Sequence, residues 1–149
     1  MIAEAVQALI GAWRLDEWRL SVDGHWRDPY LGAGASGTLL YSADGWMSAI
    51  LMAADRPKLG PAGFVLGDTS SKLAAADGYV SYAGTFELDG ADICHHVQFS
   101  LYPDWIGQTL RRRVSWDPAG RLTLTTPAVT TRQGKVVIDA ITWIKNSKL

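Results

Sequence analysis

Cysteine is almost missing from this chain. Cys94 stands alone among 149 residues, so no internal disulfide can form and stability has to come from packing. An excess of one charge is missing as well: 14 Lys and Arg stand against 15 Asp and Glu, for a net charge of −1. A nucleic-acid binder needs a basic surface, so that class is set aside. No apolar run approaches the roughly 20 residues of a membrane-spanning helix. The opening residues Met1 to Leu9 carry Glu4 and neither Lys nor Arg, unlike the basic start of a secretory signal. The expectation is a cytoplasmic protein with no nucleic-acid and no membrane partner.

Histidine is scarce too, with only His25, His95 and His96. Adjacent residues on a strand point to opposite faces, so His95 and His96 cannot share one metal. With His25 in a distant loop, no metal and no other cofactor is expected. No Gly-x-Ser-x-Gly elbow is present, which argues against serine hydrolase chemistry. Gly32-x-Gly34-x-x-Gly37 leads into a strand instead of from a strand into a helix, so it is not a dinucleotide fingerprint.

What the chain has in quantity is apolar and aromatic side chains, 48% and 10% of residues, including seven Trp. This is the composition and size of one globular domain, residues 1–149. Ile2 to Ile10 reads as a short helix stopped by Gly11. Alternating polarity then predicts eight strands: 13–22, 37–42, 46–53, 79–88, 93–102, 108–116, 121–126 and 135–145. Asp23-Gly24, Asp44-Gly45 and Asp89-Gly90 are tight turns that make neighbours antiparallel. Two interruptions are long. His25 to Ser36 is a loop of the length that often serves function. Asp55 to Asp68 reads as a mobile loop before a helix over Thr69–Ala76, capped near Asp68 or Thr69, and the two together form a lid after strand three. Eight such strands can close into an all-β, up-and-down antiparallel barrel without sticky edges. A barrel of this size is either filled by side chains or holds one small ligand.

Period-two alternation assigns faces. Ile93, His95, Val97, Phe99 and Leu101 share the interior face of one strand. Tyr82, Gly84, Phe86 and Leu88 do so on another, and Leu110, Arg112, Val114 and Trp116 on a third. The strand over 46–53 is ambiguous. So is the last, where Ile138, Ala140, Thr142 and Ile144 compete with Val137, Asp139, Ile141 and Trp143. Glu87 and Asp139 are expected to face solvent or a neighbouring strand, and Trp13 to plug one end. An interior Arg112 needs a carboxylate, carbonyls, water or an anionic ligand, or else covers a Trp at the barrel end. An interior His95 can exchange a proton near neutrality, with Tyr41, Tyr82 or Arg112 as partners. The simpler alternative is a buried imidazole satisfied by one hydrogen bond.

Several stretches together resemble a known family. The helix followed by Gly11-Ala12-Trp13-Arg14-Leu15 resembles the Gly-x-Trp opening of lipocalins and related calycins. Leu40-Tyr41-Ser42-Ala43-Asp44-Gly45-Trp46-Met47-Ser48-Ala49 and Tyr79-x-x-Tyr82-Ala83-Gly84-Thr85-Phe86 resemble the bacterial and fungal lipocalin-like domain family. So do His95-His96-Val97, Pro103-x-Trp105-x-Gly107, Leu122-x-Leu124-x-Thr126 and the closing Trp143-x-Lys145. Two positions depart from it: Trp46, where Arg or another polar residue is common, and Lys145, where Arg is common. If Trp46 faced the cavity, the pocket would be more apolar than in relatives. The resemblance implies a barrel with a ligand cavity. Related small barrels are binders, and some are cofactor-free cyclases or isomerases.

The expectation is therefore a monomer or homodimer that takes a small hydrophobic or aromatic metabolite into its cavity. As an enzyme it would be a cyclase, isomerase or lyase of specialised metabolism, with His95, Tyr82 and Arg112 as the catalytic group. Tyr41, Trp46, Ser48, Phe86, Val97, Phe99, Leu110, Trp116 and Leu124 would contact the ligand. The alternatives are a carrier for the same kind of ligand, or a fully packed interaction module.

Overall fold

The structure is a computed structural model that describes residues 3–147. Helix α1 (Glu4–Leu9) leads into β1 (Gly11–Val22), β2 (His25–Arg27), β3 (Ser36–Tyr41) and β4 (Trp46–Met52). Two helices, α2 (Gly63–Leu66) and α3 (Thr69–Asp77), separate these from β5 (Tyr79–Asp89) and β6 (Asp92–Ser100). A 3₁₀ turn at Pro103–Trp105 precedes β7 (Thr109–Trp116), β8 (Leu122–Thr125), β9 (Val129–Thr130) and β10 (Val136–Lys145). The expected helix start at Ile2 lies outside the described residues. The short α2 arises in the stretch read as a mobile loop.

Closure depends on the length of β1. Its first residues, Gly11–Arg14, pair with Thr38–Tyr41 of β3, while Trp13–Val22 pair with Val137–Lys145 of β10. The neighbour order β3-β4-β5-β6-β7-β8-β10-β1 thus returns to β3, antiparallel throughout, and eight strands form a closed barrel. The short β2 and β9 only extend the rim, on β1 and β10. Closure satisfies the backbone ladder of both would-be edges. Asp23 and Gly24 both adopt positive φ, 51° and 82°, as a two-residue hairpin of matching twist requires. Among the described residues no helix is long and apolar enough to cross a membrane.

One end is packed shut. Leu9 at the end of α1 and Trp13 are each 1% exposed, and the Trp13 indole N–H donates to the Leu9 carbonyl at 2.9 Å. Lys145 covers the Trp13 ring, 5.1 Å from its centroid, and donates to the Ala8 carbonyl. Tyr41, Met47, Phe86, Ile93 and Leu122 fill the same half.

The structure resolves both ambiguous strands. Met47, Ala49 and Leu51 of β4 are buried, so Trp46, Ser48, Ile50 and Met52 face outward. Trp46 is 42% exposed, and neither it nor Ser48 reaches the interior, contrary to expectation. In β10, Trp143 is buried and Ile141 and Asp139 line the interior; of the two settings expected for Asp139, solvent or a neighbouring strand, it takes the second, bonded to Trp18 of β1. Because Trp46 lies outside the barrel, Trp46→Ser is expected to leave ligand affinity within about twofold of wild type, checked by titrating ligand against intrinsic fluorescence of both proteins.

A bulge overturns a third assignment. In β6, Val97 pairs with Gly84 but Phe99 pairs with Ala83, so Gln98 is an extra residue. The alternation reverses there. Ile93, His95 and Val97 are buried, but Phe99 is 64% exposed and Leu101 also turns outward. Trp116 is likewise not a cavity residue. It is 45% exposed at the closed end, 5.8 Å from Trp13.

Candidate functional site in the open half of the barrel

Away from the plug, the interior is hollow. A cavity of about 210 Å³ is lined by Leu39, Leu51, Tyr82, His95, Arg112 and Leu124, among others. On the far side, Trp18, Asp139, Ile141 and Trp143 complete the wall, with Tyr30 and Trp105 at the mouth. Its surface is mainly apolar with a few polar groups, the composition of a small-molecule site. Of the residues expected to contact ligand, Leu124 lines this space. Tyr41, Phe86 and Val97 lie buried in the interior beneath it, and half-buried Leu110 pairs with His95. Trp46, Ser48, Phe99 and Trp116 are elsewhere.

The polar centre is a chain of three side chains. The Tyr41 hydroxyl lies 2.7 Å from His95 Nε2, and the Tyr82 hydroxyl 2.9 Å from His95 Nδ1. Strands β3, β5 and β6 supply them, with β4 lying between β3 and β5. His95 is 1% exposed. Burial, followed by the nearby positive charges of Arg112 and His96, holds its pKa down to about 3, so the ring is neutral. Burial raises the pKa of Tyr41 well above the ordinary phenol value, reinforced by Tyr82 and opposed by Arg112. Burial likewise raises that of Tyr82, again opposed by Arg112. Both phenols are therefore protonated at neutral pH.

A neutral imidazole donates from one nitrogen and accepts at the other, and burial selects which. Among the described residues His95 is the only side-chain partner of the Tyr41 hydroxyl, which is fully enclosed. If Nε2 carried the proton, the Tyr41 O–H would be a buried donor without an acceptor, at a cost of about 1–3 kcal/mol. The satisfied arrangement has Tyr41 O–H donating to Nε2 and Nδ1–H donating to the Tyr82 oxygen. The Tyr82 O–H is then free to donate into the cavity that its side chain lines. Each bond in such a chain polarises the next, so the open end is a strengthened donor.

Arg112 stands beside it. The guanidinium donates to the Arg111 carbonyl at 2.9 Å, and among the described residues it has no carboxylate within ion-pair distance. It lines the cavity instead of covering a Trp at the barrel end. Asp139, the carboxylate in the wall, lies on β10 across β8 from Arg112, roughly 10 Å away between backbones. Asp139 accepts the Trp18 indole N–H at 2.8 Å, and Trp18 meets the Tyr30 ring edge-on at 6.0 Å. Trp105 does the same to Tyr82 at 5.6 Å. The site thus has a donor pair, Tyr82 and Arg112, on one wall and an acceptor on another.

Asp139 was not among the residues expected in the site, whereas Trp105 is one of the aromatics the sequence offers as cavity lining. Pro103-x-Trp105 was visible as a motif, but only the turn after β6 brings its indole over the mouth. Asp139 was hidden by the two equally apolar faces of β10.

The buried neutral imidazole has a consequence for stability. The unfolded chain takes up the His95 proton below about pH 6.5, the folded one only near pH 3. Between those values the unfolded state binds more protons, so stability falls as pH falls through that window and is fully restored above it. The expected slope approaches about 1.4 kcal/mol per pH unit. Urea melts between pH 7 and 4.5 check this. A His95→Gln variant that kept the same slope would rule out His95 as its source.

No curated protein matches the chain. Residues 10–146 match the profile of the lipocalin-like domain family. With the closed eight-stranded barrel, the plugged end and the hollow open half, this match shows that the chain belongs to that family.

Proposed function

We propose that the barrel binds one small, largely planar hydrophobic or aromatic metabolite carrying a carbonyl, and catalyses cofactor-independent proton transfer on it. The observation that carries this reading is the Tyr41–His95–Tyr82 chain, which delivers an oriented O–H to the cavity next to a guanidinium that has no carboxylate partner among the described residues. That pair suits an oxygen that becomes negative during reaction. The volume, about 210 Å³, lies below the ~300 Å³ at which drug-sized pockets begin, so the ligand is small.

The chemistry follows from the two walls. With the ligand carbonyl oxygen on Tyr82 and Arg112, the C–H bond beside the carbonyl breaks. Its electron pair forms a carbon–carbon double bond and the carbonyl π pair moves onto oxygen. The Asp139 carboxylate takes the proton. Return of that proton to another carbon is isomerisation. Attack of the enolate carbon on an electrophile in the same molecule is cyclisation, and expulsion of a leaving group one carbon further is elimination. His95 acts through Tyr82 and is a positioning residue. The same site, placed in the cytoplasm, would serve a pathway whose intermediates are small aromatic ketones.

β-Tetralone, a bicyclic ketone, is the test compound. In deuterium oxide at neutral pH, its protons next to the carbonyl should exchange faster with protein than in buffer, read by proton NMR. Quenching of tryptophan fluorescence reports binding, because Trp18, Trp105 and Trp143 line the cavity. Binding with no exchange above buffer would overturn the catalytic reading in favour of a carrier.

A further inference from the structure

Outside the barrel mouth lies a second chamber of about 330 Å³, which shares Tyr30, Val80 and Trp105 with the inner cavity. Its walls are unusual in composition. Four aromatic residues, Tyr30, Tyr79, Tyr102 and Trp105, line it together with one carboxylate, Asp77, and no basic residue. Tyr30 and Tyr102 are 70% and 53% exposed, so both rings are open to a ligand arriving from solvent. The Tyr102 and Trp105 rings stand almost perpendicular, at 80° with centroids 5.5 Å apart, so together they form a corner. The Tyr102 hydroxyl donates to Asp104 at 3.2 Å, which holds that ring in place.

Asp77 sits where helix physics does not want it. It is the last residue of α3, at the negative end of the helix dipole, where a carboxylate is unfavourable and a cation favourable. Among the described residues it has no ion-pair partner. A cation, Arg56, lies close by. It stacks over Tyr79 at 5.0 Å and donates to the Ala75 carbonyl, but it does not line the chamber. The fold thus already places one cation against this aromatic wall and leaves the chamber itself negative and aromatic.

We infer that this vestibule is a binding site for an organic ammonium group, held by the faces of the aromatic rings and the Asp77 carboxylate. Ring faces attract cations through their quadrupole, and a cage of several rings with an acidic residue selects alkylated ammonium. The ammonium belongs either to a separate small molecule or to a side chain of the barrel ligand that extends through the shared mouth. The inference does not depend on turnover in the barrel.

Choline is the probe, titrated into the whole protein by calorimetry at low salt. Saturable binding is expected, weakened about tenfold by Asp77→Asn and by a similar factor in Tyr102→Leu. The neutral analogue of choline, with carbon in place of nitrogen, should bind at least about tenfold more weakly than choline. Thermal melts of both variants confirm that they fold. Equal binding of choline and its neutral analogue, no saturable heat, or an affinity unchanged by Asp77→Asn would each overturn the site. Saturating β-tetralone separates the two sources. Undiminished choline binding supports a separate molecule. An aryl ketone bearing a trimethylammonium chain that binds more tightly than either part supports the extended ligand. Exchange of β-tetralone protons on the unmodified protein tests the barrel independently of these outcomes.

Discussion

Gly84→Ala is expected to destabilise the protein by about 3 kcal/mol or more, and to lower the melting temperature by roughly 10 °C. A Cβ at this position would overlap the His96 carbonyl oxygen and crowd the Gln98 amide. Neither is a flexible side-chain tip. Both belong to the backbone of β6 at the bulge, where Val97 and Phe99 pair on either side of the extra residue. Relief therefore requires β5 and β6 to separate between Tyr82 and Phe86, which breaks ladder bonds on both sides. The glycine is needed for this close approach and not for a left-handed backbone. His95 is next to His96, so the same movement disturbs the imidazole between its two tyrosines. Urea unfolding gives the stability, and β-tetralone quenching reports the cavity. An alanine variant within about 1 kcal/mol of wild type would show that the strands can part without cost, and would remove the bulge as the element that positions the site.

Tyr82→Phe is expected to lower the exchange rate of β-tetralone about 100- to 1,000-fold, with affinity for the ketone reduced only a few-fold. The hydroxyl is the one member of the Tyr41–His95–Tyr82 chain whose own proton is free to reach ligand oxygen. Its contribution grows as charge develops on that oxygen, so the loss falls on the rate and much less on binding. The phenyl ring and its edge-on contact with Trp105 remain. His95→Ala should lose comparable rate, because Tyr82 is no longer oriented and Tyr41 keeps a buried hydroxyl without a partner. His95→Gln, which offers both a donor and an acceptor, should recover part of it. That ordering separates positioning from packing, since a purely structural His95 would move stability and leave the ratio of rate to affinity unchanged. A Tyr82→Phe protein with the wild-type exchange rate would eliminate the proposed oxygen-binding pair.

Legibility in the sequence tracked how far each feature depended on neighbours in the chain. The eight strands and the tight Asp-Gly turns were readable because alternation and turn chemistry are local. The inward positions of His95, Tyr82 and Arg112 were readable for the same reason. In β4 and β10 both faces carry apolar side chains, and there alternation alone could not decide; pairing with β3, β5, β8 and β1 did. Phe99 was misplaced because a bulge is a property of two strands, and nothing in Ile93 to Tyr102 read alone marks Gln98 as the extra residue. Trp116 was assigned to the correct face of β7, but so near the closed end that it packs on Trp13 instead of meeting the cavity.

Read alone, the chain determined an antiparallel barrel and a histidine turned into it, because strand period and two-residue turns are set by covalent geometry and side-chain size. Only the closed tertiary structure decided that both nitrogens of that histidine are occupied by phenols from two other strands. It also decided that an aspartate shares the chamber with an arginine it does not pair with, and that aromatic rings from separate loops gather outside the mouth. Those relations depend on distances across the barrel, which come into being only when the first strand meets the last.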